Sequence, residues 1–178
     1  MMVGMNLAPI ELKGKEVASA LVPSGRIVGD DSQDTELLRR MFQDARRYIS
    51  SFSWCESVLD SYFGGGVGGI FAVFFFHIRR NRTDVDPWIW IVVGDVPPAY
   101  LPLSDCESPA EVFRTYVQGM SRWVEFARKA SPGAASPPDV PPVELPATPE
   151  WAEKLHQKLY GLALAVKPFF EEGSSAVN

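Results

Sequence analysis

Residues 70–93 read IFAVFFFHIRRNRTDVDPWIWIVV. Ile70–Ile78 carries apolar side chains at both odd and even positions. A strand has two faces, so this pattern predicts a strand covered on both sides, central in its sheet. Trp88–Val93 is again aromatic and β-branched, the composition of a second buried strand. The polar turn between them, Arg79–Pro87, is too short for a parallel return and predicts an antiparallel neighbour. Strands are therefore expected near 68–79 and 88–94. Gly94-Asp95-Val96-Pro97-Pro98 stops the second, and 99–103 is a candidate edge strand, a position that tolerates Pro102.

Helical spacing surrounds this pair. Leu37, Leu38, Met41, Phe42, Ala45, Tyr48, Ile49 and Phe52 recur at one helix face, predicting a helix over 34–50. Ser108-Pro109-Ala110-Glu111 combines a serine cap, a proline at the first position and a glutamate at the third, and opens a helix over 109–129. Thr148-Pro149-Glu150 opens another over 149–167. Ser53-Trp54-Cys55-Glu56 has the form of a capping box, and Cys55, Val58, Leu59, Tyr62 and Phe63 continue at helical spacing. A short helix over 54–63 is expected, with a strand over Val58–Phe63 as the alternative. Residues 10–28 hold candidate edge strands at Ile10–Leu12 and Arg26–Val28. The fold class is α+β: an antiparallel sheet packed by about four helices. The 178 residues fit a single domain, with a proline-rich extended connection over 131–148 and a mobile tail over 173–178.

Charge narrows the partners. The chain has 17 basic and 22 acidic residues, a net charge of −5. Between Thr83 and Phe113 there are six acids, Asp84, Asp86, Asp95, Asp105, Glu107 and Glu111, and no base. Such a stretch repels phosphates, which excludes nucleic-acid binding, and favours a basic partner. No apolar run approaches the ~20 residues of a membrane span. Cys55 and Cys106 lack the spacing of a zinc site, and no metal or cofactor motif is present. The N-terminal text MMVGMNLAPIELKGKE lacks the features of a signal peptide, so the expectation is a cytoplasmic protein with two reduced thiols.

The glycine run Gly64–Gly69 enters a strand from its helical side and holds no lysine, serine or threonine. That order is opposite to a phosphate loop and fits close packing of neighbouring rings on bare backbone. Glu56 and Asp60 share one face if 54–63 is helical. His77, inside the most apolar strand, reads as a hydrogen-bonded core histidine. Trp88 and Trp90 project from the same strand face; if exposed, they would form a protein-binding surface with an acidic border.

SWCESVLDSYFGGGVGGIFAVFFFHI with DPWIWIVVGDVPPAYL, then SPAEVFRTYVQGMSRWVEFA and PPVELPATPEWAEKL, resembles a family of small bacterial proteins of uncharacterised activity, over roughly residues 50–165. The resemblance transfers no site residues. By class analogy, small acidic α+β proteins of this kind are similar to immunity proteins, which bind and block a toxin. The expected function is thus non-enzymatic binding of a basic protein partner, a toxin, through Asp84, Asp86, Trp88, Trp90, Asp95, Asp105 and Glu107. The alternative is a small enzyme or ligand-binding domain with a pocket near the glycine run, built from Glu56, Asp60, Gly65, Gly66 and Asp95.

Overall fold

The computed structural model describes residues 8–175. Helix α1 (Ala8–Ser19) is followed by a two-residue strand β1 (Val22–Pro23), helix α2 (Ser32–Ser50), and strands β2 (Cys55–Val67), β3 (Phe71–Arg80), β4 (Trp88–Gly94) and β5 (Ala99–Pro102). Helices α3 (Pro109–Lys129), α4 (Pro149–Ala165) and α5 (Lys167–Ser175) complete the chain. The strands form one antiparallel sheet in the order β1-β2-β3-β4-β5, and the class is α+β.

β3 and β4 pair in register from Phe71↔Gly94 to His77↔Trp88. Alternation then sorts their side chains to two faces. Ala72, Phe74, Phe76 and Ile78 join Ile89, Ile91 and Val93 beneath Leu38, Met41, Phe42, Ala45 and Ile49 of α2. Phe71, Val73 and Phe75 join Trp88, Trp90 and Val92 beneath α3, α4 and α5. The caps expected at Ser108 and Thr148 are formed, Ser108 Oγ accepting from Glu111 N at 3.2 Å and Thr148 Oγ1 from Trp151 N at 3.3 Å, and Asp31 Oδ1 caps α2 by accepting from Asp34 N at 2.8 Å. Residues 131–148 carry neither helix nor strand, and along them Val143, Leu145 and Ala147 pack on the core while Pro142, Glu144 and Pro146 face out.

Two expectations are corrected. The helix expected over 54–63 is the first part of β2, and Ser53 caps nothing; Cys55 N instead donates to Phe52 O at 3.1 Å in a turn. The reason lies in the register. Pairing with β3 is shifted between Cys55 and Ser57, Val58 and Asp60, and Phe63 and Gly65. Each bulge adds a residue, so the half-buried positions 55, 58 and 61 fall three apart and imitate a helical stripe. Second, Ile10–Leu12 lies in α1, and within 10–28 only Val22 and Pro23 pair, with Phe63 and Tyr62. Helix α5 reaches Ser175, and 176–178 of the expected tail lie outside the described residues.

Candidate functional site

The acidic stretch does not assemble on one surface. Asp84 Oδ1 accepts from Arg82 Nε at 3.0 Å, and this bond holds its carboxyl below the usual carboxylate range. Asp86 Oδ2 accepts from Ser104 N at 3.0 Å, tying the β3–β4 loop to the segment after β5. Glu107 meets Lys13 Nζ of α1 at 3.1 Å and raises that lysine's pKa, while Asp105 is exposed nearby in the chain. Asp95 lies past the opposite end of β4, where it pairs with Lys158 at 3.0 Å. A seven-residue strand spans about 20 Å, two Debye lengths at physiological salt, so Asp95 acts apart from Asp84 and Asp86.

Trp88 and Trp90 are not a contact surface, because their relative exposures are 1% and 0%. Trp90 Nε1 donates to Cys106 O at 2.8 Å, and Phe75 packs on both indoles. Gly14 of α1 lies directly on Trp88: a Cβ there would overlap the indole ring. His77 is stacked on the same indole, with Nε2 3.2 Å from Glu11 Oε2 and Nδ1 3.5 Å from Asp60 Oδ2.

The alternative pocket residues do not converge. Glu56 and Asp60 are exposed on β2. A side chain at Gly65 would touch the Phe170 ring at 3.4 Å, and one at Gly66 would sit 2.6 Å from Ala72 Cα of β3. The glycine run thus serves close packing, of α5 on one residue and of β3 on the next. Among the described residues no group of three or more His, Cys, Asp and Glu is arranged to hold a metal ion. No helix there is long and apolar enough to cross a membrane.

A concave surface of larger extent lies elsewhere, along the β5 edge. Two adjoining cavities of about 800 and 850 Å³ share Tyr48, Ser51, Gly94, Asp95, Val96 and Pro98. Together they make one groove between the C-terminal turn of α2, the β4–β5 loop, the proline-rich segment at Pro142–Leu145 and the start of α4. Tyr116 Oη donates to Pro97 O at 2.7 Å and fixes the loop from below. Aromatic rings line the wall. Phe52 stacks on Trp54 with centroids 4.7 Å apart and meets Tyr48 and Tyr100 edge-on, each at 5.1 Å. Across the groove, Trp151 carries Lys154 Nζ 4.5 Å above its ring. Tyr48 is half-buried; burial first, then Tyr100 and Glu144, push its phenol up to about 12. It therefore stays a neutral donor at physiological pH.

Of the residues singled out from sequence, only Asp95 lines this groove. Tyr48 and Phe52 were absorbed into the stripe of α2, and Trp54 into a helix start. The usable signal was position: Phe52, Trp54 and Tyr100 flank turns, where side chains are not obliged to enter the core. No family model, curated protein or solved structure matches the chain.

Proposed function

We propose that the chain is a non-enzymatic protein-binding module of immunity type, which blocks a basic partner by holding one of its segments in the β5-edge groove. The observation that carries this reading is the groove's composition. It sets Tyr48, Phe52, Tyr100 and Trp151 around the carboxylates Asp95 and Glu144, without a nucleophile held by a base. Tyr and Trp dominate binding hot spots because each buries a large, rigid area at small entropic cost and keeps a polar tip for the partner. Lys158 neutralises Asp95, so Glu144 is the carboxylate left to meet a basic group, and the dispersed acids of residues 84–111 add a weaker, longer-ranged attraction.

The experiment is to capture the partner from the native host on the immobilised full chain, identify it, and measure both rate constants at two salt concentrations. Truncating Tyr100 or Trp151 to alanine is expected to speed dissociation by tenfold or more, about 1.4 kcal/mol or above. Reversing Asp84, Asp86 and Glu107 to lysine is expected to slow association, with the loss shrinking as salt rises. A partner whose dissociation ignores the groove substitutions would overturn the site. Turnover of a small molecule by the purified protein would replace binding with catalysis.

A further inference from the structure

The groove holds one charge without an opposite. Lys158 pairs with Asp95 at 3.0 Å, Lys154 with Glu150 at 3.3 Å, Arg47 with Asp44 at 3.3 Å and Arg40 with Glu36. Glu144, which faces the groove from the proline-rich segment, has no ion-pair partner among the described residues. Its charge is felt at Tyr48, whose ring meets Phe52, which in turn meets Tyr100. Tyr100 is 42% exposed, so part of its ring is open to a ligand.

A lone carboxylate beside open aromatic rings is complementary to an organic cation. Ring faces carry negative quadrupole charge, so a cation there is attracted by the ring and by the carboxylate together. The chain already makes one such contact in this groove, Lys154 over Trp151. Between the two protein cations, a guanidinium suits the site better than an ammonium. It is planar, stacks on a ring while its edge donates two parallel hydrogen bonds to a carboxylate, and is more weakly hydrated.

We infer that the groove binds an arginine side chain from an exposed segment of the partner, its guanidinium stacked on Tyr100 and paired with Glu144. This specifies the partner chemistry of the protein-binding reading and rests on it.

The test uses the full chain, isotopically labelled, titrated with a blocked Gly-Arg-Gly peptide and with its lysine and citrulline counterparts. Citrulline keeps the shape of arginine and lacks its charge. The arginine peptide is expected to move the Tyr100 and Trp151 ring signals saturably, with a Kd on the order of millimolar. The lysine peptide should bind several-fold more weakly and the citrulline peptide not measurably. Glu144→Gln and Tyr100→Leu should each weaken the arginine peptide by roughly tenfold. Both positions are exposed, so the fold is retained, and Glu16→Gln on α1, which packs at the Trp88 end of β4 away from Asp95, should leave binding unchanged. Equal binding of citrulline, indifference to Glu144→Gln, or no saturable shift overturns the inference. A partner whose capture needs Trp151 but ignores Glu144 would leave the protein-binding reading standing and remove arginine. Arginine binding as described, with no protein partner in the host, would do the reverse.

Discussion

The His77 imidazole lies flat on the Trp88 indole, with ring centroids 4.1 Å apart and planes 6° apart. One carboxylate clasps both rings: Glu11 Oε2 accepts from Trp88 Nε1 at 3.2 Å and faces His77 Nε2 at 3.2 Å. Glu11 belongs to α1, a helix in which Gly14 and Ala18 are the buried residues of 9–19. Ile10 and Val17 add partly buried apolar contacts, and the polar clasp supplements this small footing in docking α1. Glu11→Ala should cost about 1–2 kcal/mol and raise amide hydrogen exchange through residues 12–19 before any other helix. Unchanged exchange in α1 would mean the apolar contact alone suffices.

Gly14 and Gly161 offer an opposed pair of tests. Both lie inside helices, where alanine is intrinsically favoured by about 1 kcal/mol. At Gly161 nothing lies within 4 Å of an added Cβ, so Gly161→Ala should stabilise by up to that amount. At Gly14 the Cβ overlaps the Trp88 ring, so Gly14→Ala should destabilise by about 1–3 kcal/mol and displace α1. Denaturant melts of the two variants should move in opposite directions. A stabilised Gly14→Ala would show that α1 does not rest on Trp88.

Phe75 is fully buried between the two indoles, 5.0 Å from Trp88 and 4.3 Å from Trp90 by ring centroid. Strand β3 is fixed by β2 on one side and β4 on the other, so the site cannot collapse around a lost ring. Phe75→Ala should cost about 3–5 kcal/mol. A variant melting within a few degrees of the parent would mean this face is open to solvent.

The central pair of strands was legible because burial on both faces leaves an unmistakable continuous apolar run. Two helices were legible from their caps, because Ser108 and Thr148 act within four residues of themselves, and α2 from the single apolar stripe it turns to the sheet. β2 was misread because its bulges against β3 convert a two-residue alternation into steps of three, and period is the main signal available. The site was misplaced for a different reason. Whether Trp88 or Trp54 meets solvent depends on which helix lands on it, and α1 is joined to Trp88 through contacts 77 residues apart in the chain. Composition alone ranks those tryptophans equally.

The two cysteines are free. Cys106 is buried with Sγ 3.5 Å from Thr115 Oγ1, and Cys55 is half-buried. Burial pushes both thiols up, lowering the reactive thiolate fraction. Under native conditions at pH 8 a thiol reagent should modify Cys55 slowly and Cys106 only on unfolding, with two thiols counted in denaturant. Fast reaction of both would contradict the burial of Cys106.

The groove also predicts how stability responds to alkali. Tyr48 has a folded-state value of about 12 against about 10 for an unfolded tyrosine. Between those pH values the unfolded chain gives up a proton that the folded chain keeps, so the stability present below pH 10 falls as pH rises toward 12. Tyr116 shifts the same way, since burial opposes its phenolate while its hydroxyl donates to Pro97 O. Lys13 is also raised, by Glu107, and its contribution is lost as pH rises past the ordinary lysine value, but that pair is exposed and high salt screens it. Measured in high salt by denaturant titration from pH 8 to 11, Tyr48→Phe should lose stability with pH less steeply than the parent. Tyrosine absorbance should show the late-titrating phenols ionising together with unfolding rather than before it. If parent and Tyr48→Phe fall in parallel, Tyr48 ionises freely in the folded protein. The groove wall at Tyr48 would then be open to water.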